Sequence, residues 1–533
     1  MGVLFLILSV FAAELHAGGD LILRVPNESA KKNVMKLMGQ SMRFESLGET
    51  GFWAVLDSKA LDSSQREVLK DYLQPNFKYS QSEINDPELK RSWGLINSGQ
   101  VVEEVVGLSH RDIGLEESLR VWRGDSSFTI AILDSGVERN HPELSDRIWQ
   151  NPNEIAANGV DEDENGLVDD VEGWNVIDGN ADISDTSGHG TLVAGIIGAR
   201  AENGHGSRGV MDHVSIMVVK CFDRHGIGST AAAIRAIQYA VMKGAQVLNA
   251  SWGGPNYDPA LFEVLKWANS KGVLVVTSSG NDGRDNDRYP VYPASFSLPN
   301  LISVAAYNAR DERAEFSNYG KSSVEIAGPG VGIFGPSSGN SYRVASGTSF
   351  ATPFVSGVAG LLWSYRPELS AHEIKTRLLA TSSVISYYEK ESLKSAGRVH
   401  AGNALMDTKS LRPQSPERWH STPQQWQTKH PYSNSEVIQK VIHVPNATRL
   451  RLHFSEFQTE EGYDWVVLRD AKARVVGKYS GDLGAFDSAD VLGDSMVIEF
   501  KSDDARTYQG VTVDRVDMSF ERTPWETDLT AGY

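Results

Sequence analysis

The sequence predicts an α/β protein: a three-layer main domain built on a parallel sheet, preceded by a small α+β module and followed by an all-β sandwich. Three observations carry this. Continuous apolar runs at 128–133, 214–219, 247–251, 273–278 and 301–306 alternate with helical stretches at 230–242, 259–271 and 352–365. Strands that are apolar on both faces and separated by helices belong to a parallel sheet covered on both sides. Before residue 90 the strand–helix alternation is shorter and more polar, and beyond 427 apolar and polar residues alternate with period two, the pattern of half-buried strands.

The chain has 533 residues, room for two or three domains. Its formal net charge of -18 argues against a nucleic-acid partner, because binding phosphates needs a basic face. Cys221 is the one cysteine, so no internal disulfide forms. It lies in the apolar stretch 214–222 and reads as a small core hydrophobe rather than a reactive thiol.

In chain order, residues 3–13 form an apolar run followed by Leu15, His16 and the small Ala17. That run is too short for a membrane span, which needs ~20 residues, and reads as the core of a signal peptide over 1–17, although no Lys or Arg precedes it. The implied location is secreted, extracellular or periplasmic, and no other stretch is long enough to cross a bilayer. Residues 18–90 hold strands at 21–25 and 52–56 and helices at 30–38 and 63–72, closing on Gln74, Pro75, Asn76 and Phe77 and a polar stretch. The main domain occupies 91–409. Pro413, Pro416 and Pro423 mark a linker over 410–427. Strands at 437–444, 449–454, 465–469, 496–500 and 512–520 make the sandwich of 428–522, and 523–533 is a tail.

Three segments carry chemistry. Asp134 ends an apolar strand, His189 opens a helix between Gly188 and Gly190, and Ser349 precedes another helix among small residues. A serine hydroxyl is a weak nucleophile and needs a base within hydrogen-bond reach. An imidazole takes that proton and returns it to the leaving amine. A buried carboxylate fixes the imidazole tautomer and stabilises the imidazolium. Each segment alone also has a structural reading, as a core-edge Asp, a capping His or a capping Ser; the three together in this order do not.

The segments 131–136, 187–195 and 346–353 closely resemble the subtilisin (subtilase) family, whose order is also Asp, His, Ser. The resemblance runs from about 93 to about 404 and implies a serine endopeptidase acting on proteins or peptides. It implies that Asn281, in Gly280-Asn281-Asp282-Gly283, stabilises the oxyanion, and that Gly226, Ile227, Gly228, Ser251, Trp252 and Gly253 bind substrate backbone, where plain turn glycines are the alternative. It also implies that 18–90 is a propeptide acting as folding aid and inhibitor, the alternative being a domain that stays attached. The rival from another class is a catalytically silent peptide-binding or adhesion protein on the same fold; the intact set of groups argues against it.

Asp161, Asp163, Asn165, Leu167 through its carbonyl, Asp169 or Asp170, and Glu172 follow the spacing of a calcium loop, with Gly166 at the turn. A structural Ca²⁺ is the expected cofactor, and a solvated acidic loop is the alternative. Finally, Phe454, residues 463–468, residues 502–504 and residues 509–511 resemble a CUB domain without its cysteines. That likeness implies a protein ligand and a second calcium cluster at Glu460, Asp464 and Asp503, where plain surface turn carboxylates are the alternative.

Overall fold

The computed structural model describes residues 20–25, 27–38, 45–46, 52–57, 61, 65, 68–69, 73–75, 86–385, 392–395, 397–409 and 419–520. The signal-peptide reading at 1–17, the tail at 523–533 and most of the 63–72 helix lie outside them. Two compact units divide the chain at residues 83 and 84. The N-terminal module thus ends before the expected residue 90, and the short 3₁₀ turn Leu89–Arg91 belongs to the larger unit.

In the first unit β1 (Asp20–Val25), β2 (Glu45–Ser46), β3 (Phe52–Asp57) and β4 (Leu73–Pro75) form an antiparallel sheet in the order β2-β3-β1-β4, and α1 (Glu28–Met38) follows β1. Asn27 Oδ1 accepts from Ala30 N at 2.9 Å and caps that helix. Leu23, Val25, Val34, Leu61 and Leu69 make its small core.

The second unit opens with the two-residue strands β5 (Val101–Val102) and β6 (Val105–Val106) and the short α2 (Leu115–Leu119). Seven of the nine described strands of the main sheet are β7 (Gly124–Asp134), β8 (Gly173–Asn175), β9 (His213–Lys220), β10 (Val247–Ala250), β11 (Leu274–Ser278), β12 (Leu301–Tyr307) and β13 (Ile326–Pro329). Seven consecutive strands, β13-β12-β11-β10-β7-β9-β8, pair in parallel. Along β7, Ile130 and Ile132 enter the core on one face while Ala131 and Leu133 enter the core on the other. Burial on both faces explains why the strands read as unbroken apolar runs.

Helix α3 (His189–Gly198) and the long α6 (Thr348–Tyr365) bury residues in the first of these cores, and α4 (Thr230–Met242) and α5 (Pro259–Ser270) bury residues in the second. Local chemistry starts these helices. Ser229 Oγ accepts from Ala232 N, and Asp258 accepts from two backbone N–H groups just ahead of Pro259. Cys221 is buried, and burial pushes its thiol up, consistent with the core reading. The hairpin β14 (Ile333–Ser337) and β15 (Ser341–Ala345) leads into α6; α7 (Ala371–Ala380), β16 (Ser383–Val384), β17 (Gly397–Arg398) and α8 (Ala401–Met406) complete the domain. Among the described residues no helix is long and apolar enough to cross a membrane.

The C-terminal region packs two antiparallel sheets around Phe454, Phe457, Leu468, Ile498 and Phe500. One sheet contains β18 (His420–Gln427), β20 (Arg449–Gln458), β23 (Phe486–Asp487), β24 (Val491–Leu492) and β26 (Gly510–Ser519). The other contains β19 (Val437–His443), β21 (Trp465–Asp470), β22 (Val475–Tyr479) and β25 (Ser495–Lys501). The expected linker is therefore shorter at its C-terminal end, because His420–Gln427 is a strand paired with β26. Pro423 is tolerated there because β18 is an edge strand with a register shift between Pro423 and Trp426. Buried Arg310 ties the sandwich to the α/β domain, donating to the carbonyls of Val106 and Asp490. Lys478 adds a bond to Glu104 in the β5–β6 turn.

Candidate active site

The parallel sheet brings the sequence-predicted residues to the carboxyl ends of its strands, the usual place for a site in such folds. Asp134 is the last residue of β7 and is buried, 3% exposed. His189 is the first residue of α3, and its Nδ1 lies 2.8 Å from Asp134 Oδ1. Gly190 allows this approach: a Cβ there would sit 2.1 Å from the Gly136 carbonyl oxygen. Burial works to lower the His189 pKa, but the Asp134 carboxylate outweighs it by charge and hydrogen bond, so the imidazole ends above its ordinary value.

Ser349 lies inside the first turn of α6 rather than ahead of it. Pro353, four residues on, has no N–H to give the Ser349 carbonyl, and Ser251 Oγ takes that place at 2.8 Å. Ser251 is held in turn by Asn249 Nδ2 at 2.9 Å, and Asn249 by Ser356 Oγ at 2.8 Å. The ring of Phe350, next to Ser349, lies 5.1 Å from the His189 ring, so the two segments share one corner. The structure joins Asp134 to His189 and leaves the Ser349 hydroxyl without a hydrogen-bond partner among the described residues. Apo sites often have such loose contacts.

Asn281 follows β11. Its Oδ1 accepts from Thr348 N and Thr348 Oγ1, both at 2.9 Å. With the oxygen engaged, the amide nitrogen points away from Thr348, and it would be 3.7 Å from a Cβ built on Gly347. The arrangement supplies a carboxylate–imidazole pair, a hydroxyl and an oriented amide donor on neighbouring segments.

Residues 125–415 match the subtilase family over more than half of the chain. The chain belongs to the subtilase family. Residues 419–514 of this subtilase match the CUB domain. Thermitase of Thermoactinomyces vulgaris is 34% identical over 284 residues, 52% of this chain and 89% of that protein. Subtilisin-like protease 2 of Plasmodium falciparum (isolate 3D7) is 33% identical over 295 residues, 54% of this chain; the match spans only 21% of the relative. The crystal structure of a cold adapted subtilisin-like serine proteinase is similar at 26% identity and a TM-score of 0.45, covering 58% of this chain and 97% of that one.

The segments expected to hold substrate backbone are built differently in this subtilase. Gly226, Ile227 and Gly228 form an exposed turn closed by Ile227 N on Asp223 Oδ1 at 2.9 Å. Ser251, Trp252 and Gly253 extend β10, and Trp252 Nε1 bonds the Leu133 carbonyl at 3.0 Å, beside Asp134.

The acidic loop is arranged otherwise than its spacing suggests. Ligand atoms of Asp161 and Asp163 come together with Glu154, which lies ahead of the loop, all within 4.8 Å of one another. Glu154 Oε2 and Asp163 Oδ1 are buried without a hydrogen-bond partner. Burial alone would raise the Asp163 carboxyl, but Lys243 and Asn151 hold it below its ordinary value. Four other expected ligands, Asn165, Asp169, Asp170 and Glu172, have partners of their own. Asp170 is buried against Lys243 at 3.0 Å and Asn151 at 2.9 Å. Glu172 pairs with Arg139 at 2.6 Å, and Asp169 accepts from the backbone of Asn158 and Gly159. Asn165 Nδ2 reaches Asp170 at 3.3 Å while its Oδ1 accepts from Leu167 N at 2.7 Å. In the CUB region, Glu460, Asp464 and Asp503 do gather within 4.8 Å, and Glu460 Oε2 is buried and unpartnered.

Sequence reasoning missed Glu154, Thr348 and Asp185. Glu154 sits outside the spaced pattern and left no signal. Asp185 carried one: a capping-type residue shortly before a helix.

Proposed function

We propose that this subtilase is a secreted serine endopeptidase, made as a self-processed zymogen, that hydrolyses peptide bonds through an acyl-enzyme on Ser349. The observation that carries this reading is the 2.8 Å contact of His189 Nδ1 with buried Asp134. An ionised carboxylate only accepts, so Nδ1 carries the proton and Nε2 is left as the base. Ser349 Oγ attacks the peptide carbonyl carbon as its proton passes to Nε2. The carbonyl oxygen becomes an oxyanion and receives a hydrogen bond from Asn281 Nδ2, whose orientation is preset by Thr348. Collapse breaks the C–N bond, and His189 returns the proton to the leaving amine. Water then repeats the sequence on the ester and frees Ser349.

Substrate backbone would lie between the 226–228 turn and the 251–253 strand extension, adding by main-chain hydrogen bonds. Hard oxygen ligands suit Ca²⁺, and the two orphaned carboxylate oxygens favour a cation at Glu154, Asp161 and Asp163. Such an ion would order the loop and take no part in the chemistry. Residues 1–17 would direct export, the N-terminal unit would act as the inhibitory propeptide, and the CUB domain would bind a protein ligand, with Glu460, Asp464 and Asp503 as a second cation site.

The test is Ser349→Ala in the purified full-length protein. Casein cleavage should fall by about 10⁶-fold in turnover, the magnitude known for subtilisin itself. Retained cleavage in a folded Ser349→Ala sample overturns the assignment.

A further inference from the structure

The start of α3 lacks a side-chain cap of its own. Its N-cap is Gly188, at φ 74°, with no side chain to accept from the first turn. The free N–H groups of a helix start need acceptors, and here that start carries His189. The acceptors come from one buried carboxylate. Asp185, 6% exposed, takes the N–H groups of Ser187 at 2.9 Å and Gly188 at 3.0 Å on Oδ1, and of Thr191 at 3.0 Å on Oδ2. Thr191 Oγ1 adds a fourth bond at 2.6 Å.

The remaining donors reach Asp185 through hydroxyls. His189 N bonds Ser187 Oγ at 3.0 Å, Ser187 Oγ bonds Ser135 Oγ at 2.8 Å, and Ser135 Oγ bonds Asp185 Oδ1 at 3.0 Å. Gly190 N also bonds Ser135 Oγ, at 3.1 Å. Ser135 is the neighbour of Asp134 and gives Asp134 Oδ1 its own N–H at 2.7 Å. One carboxylate thus fastens the end of β7, with Asp134, to the start of α3, with His189.

We infer that Asp185 is a positioning residue of the proposed peptidase. It holds Asp134 and His189 in register, and its negative charge favours the imidazolium that forms when Ser349 gives up its proton. This rests on the catalytic reading above. A carboxylate at a helix N-terminus is also favourably placed in the helix field. The charged groups around His189 are Asp134 on β7 and Asp185 in the loop, which both favour its protonated form, and Arg343 on β15, which opposes it.

The test compares full-length wild type with Asp185→Asn and Ser135→Ala, using a chromogenic peptide anilide. Asp185→Asn should lower kcat by ~10-fold or more, because misplaced reacting groups cost rate steeply, with KM little changed. Its acid limb in kcat/KM should move to lower pH by roughly half a unit, since a nearby negative charge is gone. Ser187 Oγ also reaches Asp185 Oδ1 directly at 3.2 Å, so Ser135→Ala cuts only the link from Asp185 to the end of β7 and to Gly190 N, with no change of charge, and should lower kcat with the limb fixed. An unshifted limb in folded Asp185→Asn overturns the electrostatic role, and unchanged kcat in Ser135→Ala overturns the positioning role even if Asp185→Asn does not fold. If the wild type shows no fluorophosphonate-sensitive cleavage, the catalytic reading fails and this inference fails with it; a failure confined to the variants leaves that reading standing.

Discussion

Replacing Thr348 by Val removes one hydroxyl from behind Asn281, the proposed oxyanion donor. Thr348 Oγ1 donates to Asn281 Oδ1 at 2.9 Å and accepts from Gly280 N at 3.3 Å, while Thr348 N supplies Oδ1 with a second bond at 2.9 Å. The side chain is wholly buried, and valine matches its shape, so the change removes bonds without opening a cavity. One net hydrogen bond contributes ~1 kcal/mol, and if all of it is felt in the transition state the rate falls about fivefold. The backbone bond from Thr348 N persists, which keeps the loss well short of the 10²–10³ expected on deleting the donor outright, a range known from subtilisin. Initial rates with a peptide anilide, normalised to active-site titre, should therefore show kcat down roughly three- to tenfold with KM unchanged. Because Thr348 acts through Asn281, adding Thr348→Val to Asn281→Ala should cost little more. Equal losses from Thr348→Val in the two backgrounds would refute the orienting role.

Three other outcomes follow from the same geometry. Asp134 holds the His189 pKa above its ordinary value although burial opposes it, so the acid limb of kcat/KM should lie above pH 6.5, and Asp134→Asn should move it below that value along with a large loss of rate. EGTA should lower the melting temperature and speed autolysis, and Glu154→Gln should remove most of that sensitivity; equal melting temperatures in EGTA and millimolar calcium would count against the acidic-loop site. Ser349→Ala should accumulate as precursor, whereas N-terminal sequencing of active wild type should begin after the N-terminal unit; active enzyme that still starts near Gly18 would contradict self-processing.

The parallel sheet was legible because β7 and β9 to β12 are buried on both faces, which writes an unbroken apolar run into the sequence. Thr230–Met242 was equally plain, with a capping serine ahead of it. The start of α6 was misplaced by a few residues because Pro353 reads as an early helical position, whereas here Ser251 replaces the bond that Pro353 cannot make. Short pairings such as β16 with β17 are too brief to show a period, and β18 was hidden by Pro423. Asp134, His189, Ser349 and Asn281 stood out because their neighbours are dictated by chemistry and close backbone approach. The acidic loop was legible only at Asp161 and Asp163, because spacing records order along the chain, while Lys243 and Arg139, distant in sequence, decide which carboxylates are already paired. Asp185 shows the same limit: its role appears only when Ser135 and the start of α3 are seen together.

The most direct measurement is mass-spectrometric mapping of a fluorophosphonate adduct on the purified protein. A hydroxyl reacts with this reagent only when a base and an oxyanion site activate it. The predicted result is stoichiometric labelling at Ser349 that disappears in His189→Ala while the fold, followed by circular dichroism, is retained. Labelling at another serine, or none at Ser349 in a folded and mature sample, would contradict the assignment of Asp134, His189 and Ser349 as the working centre.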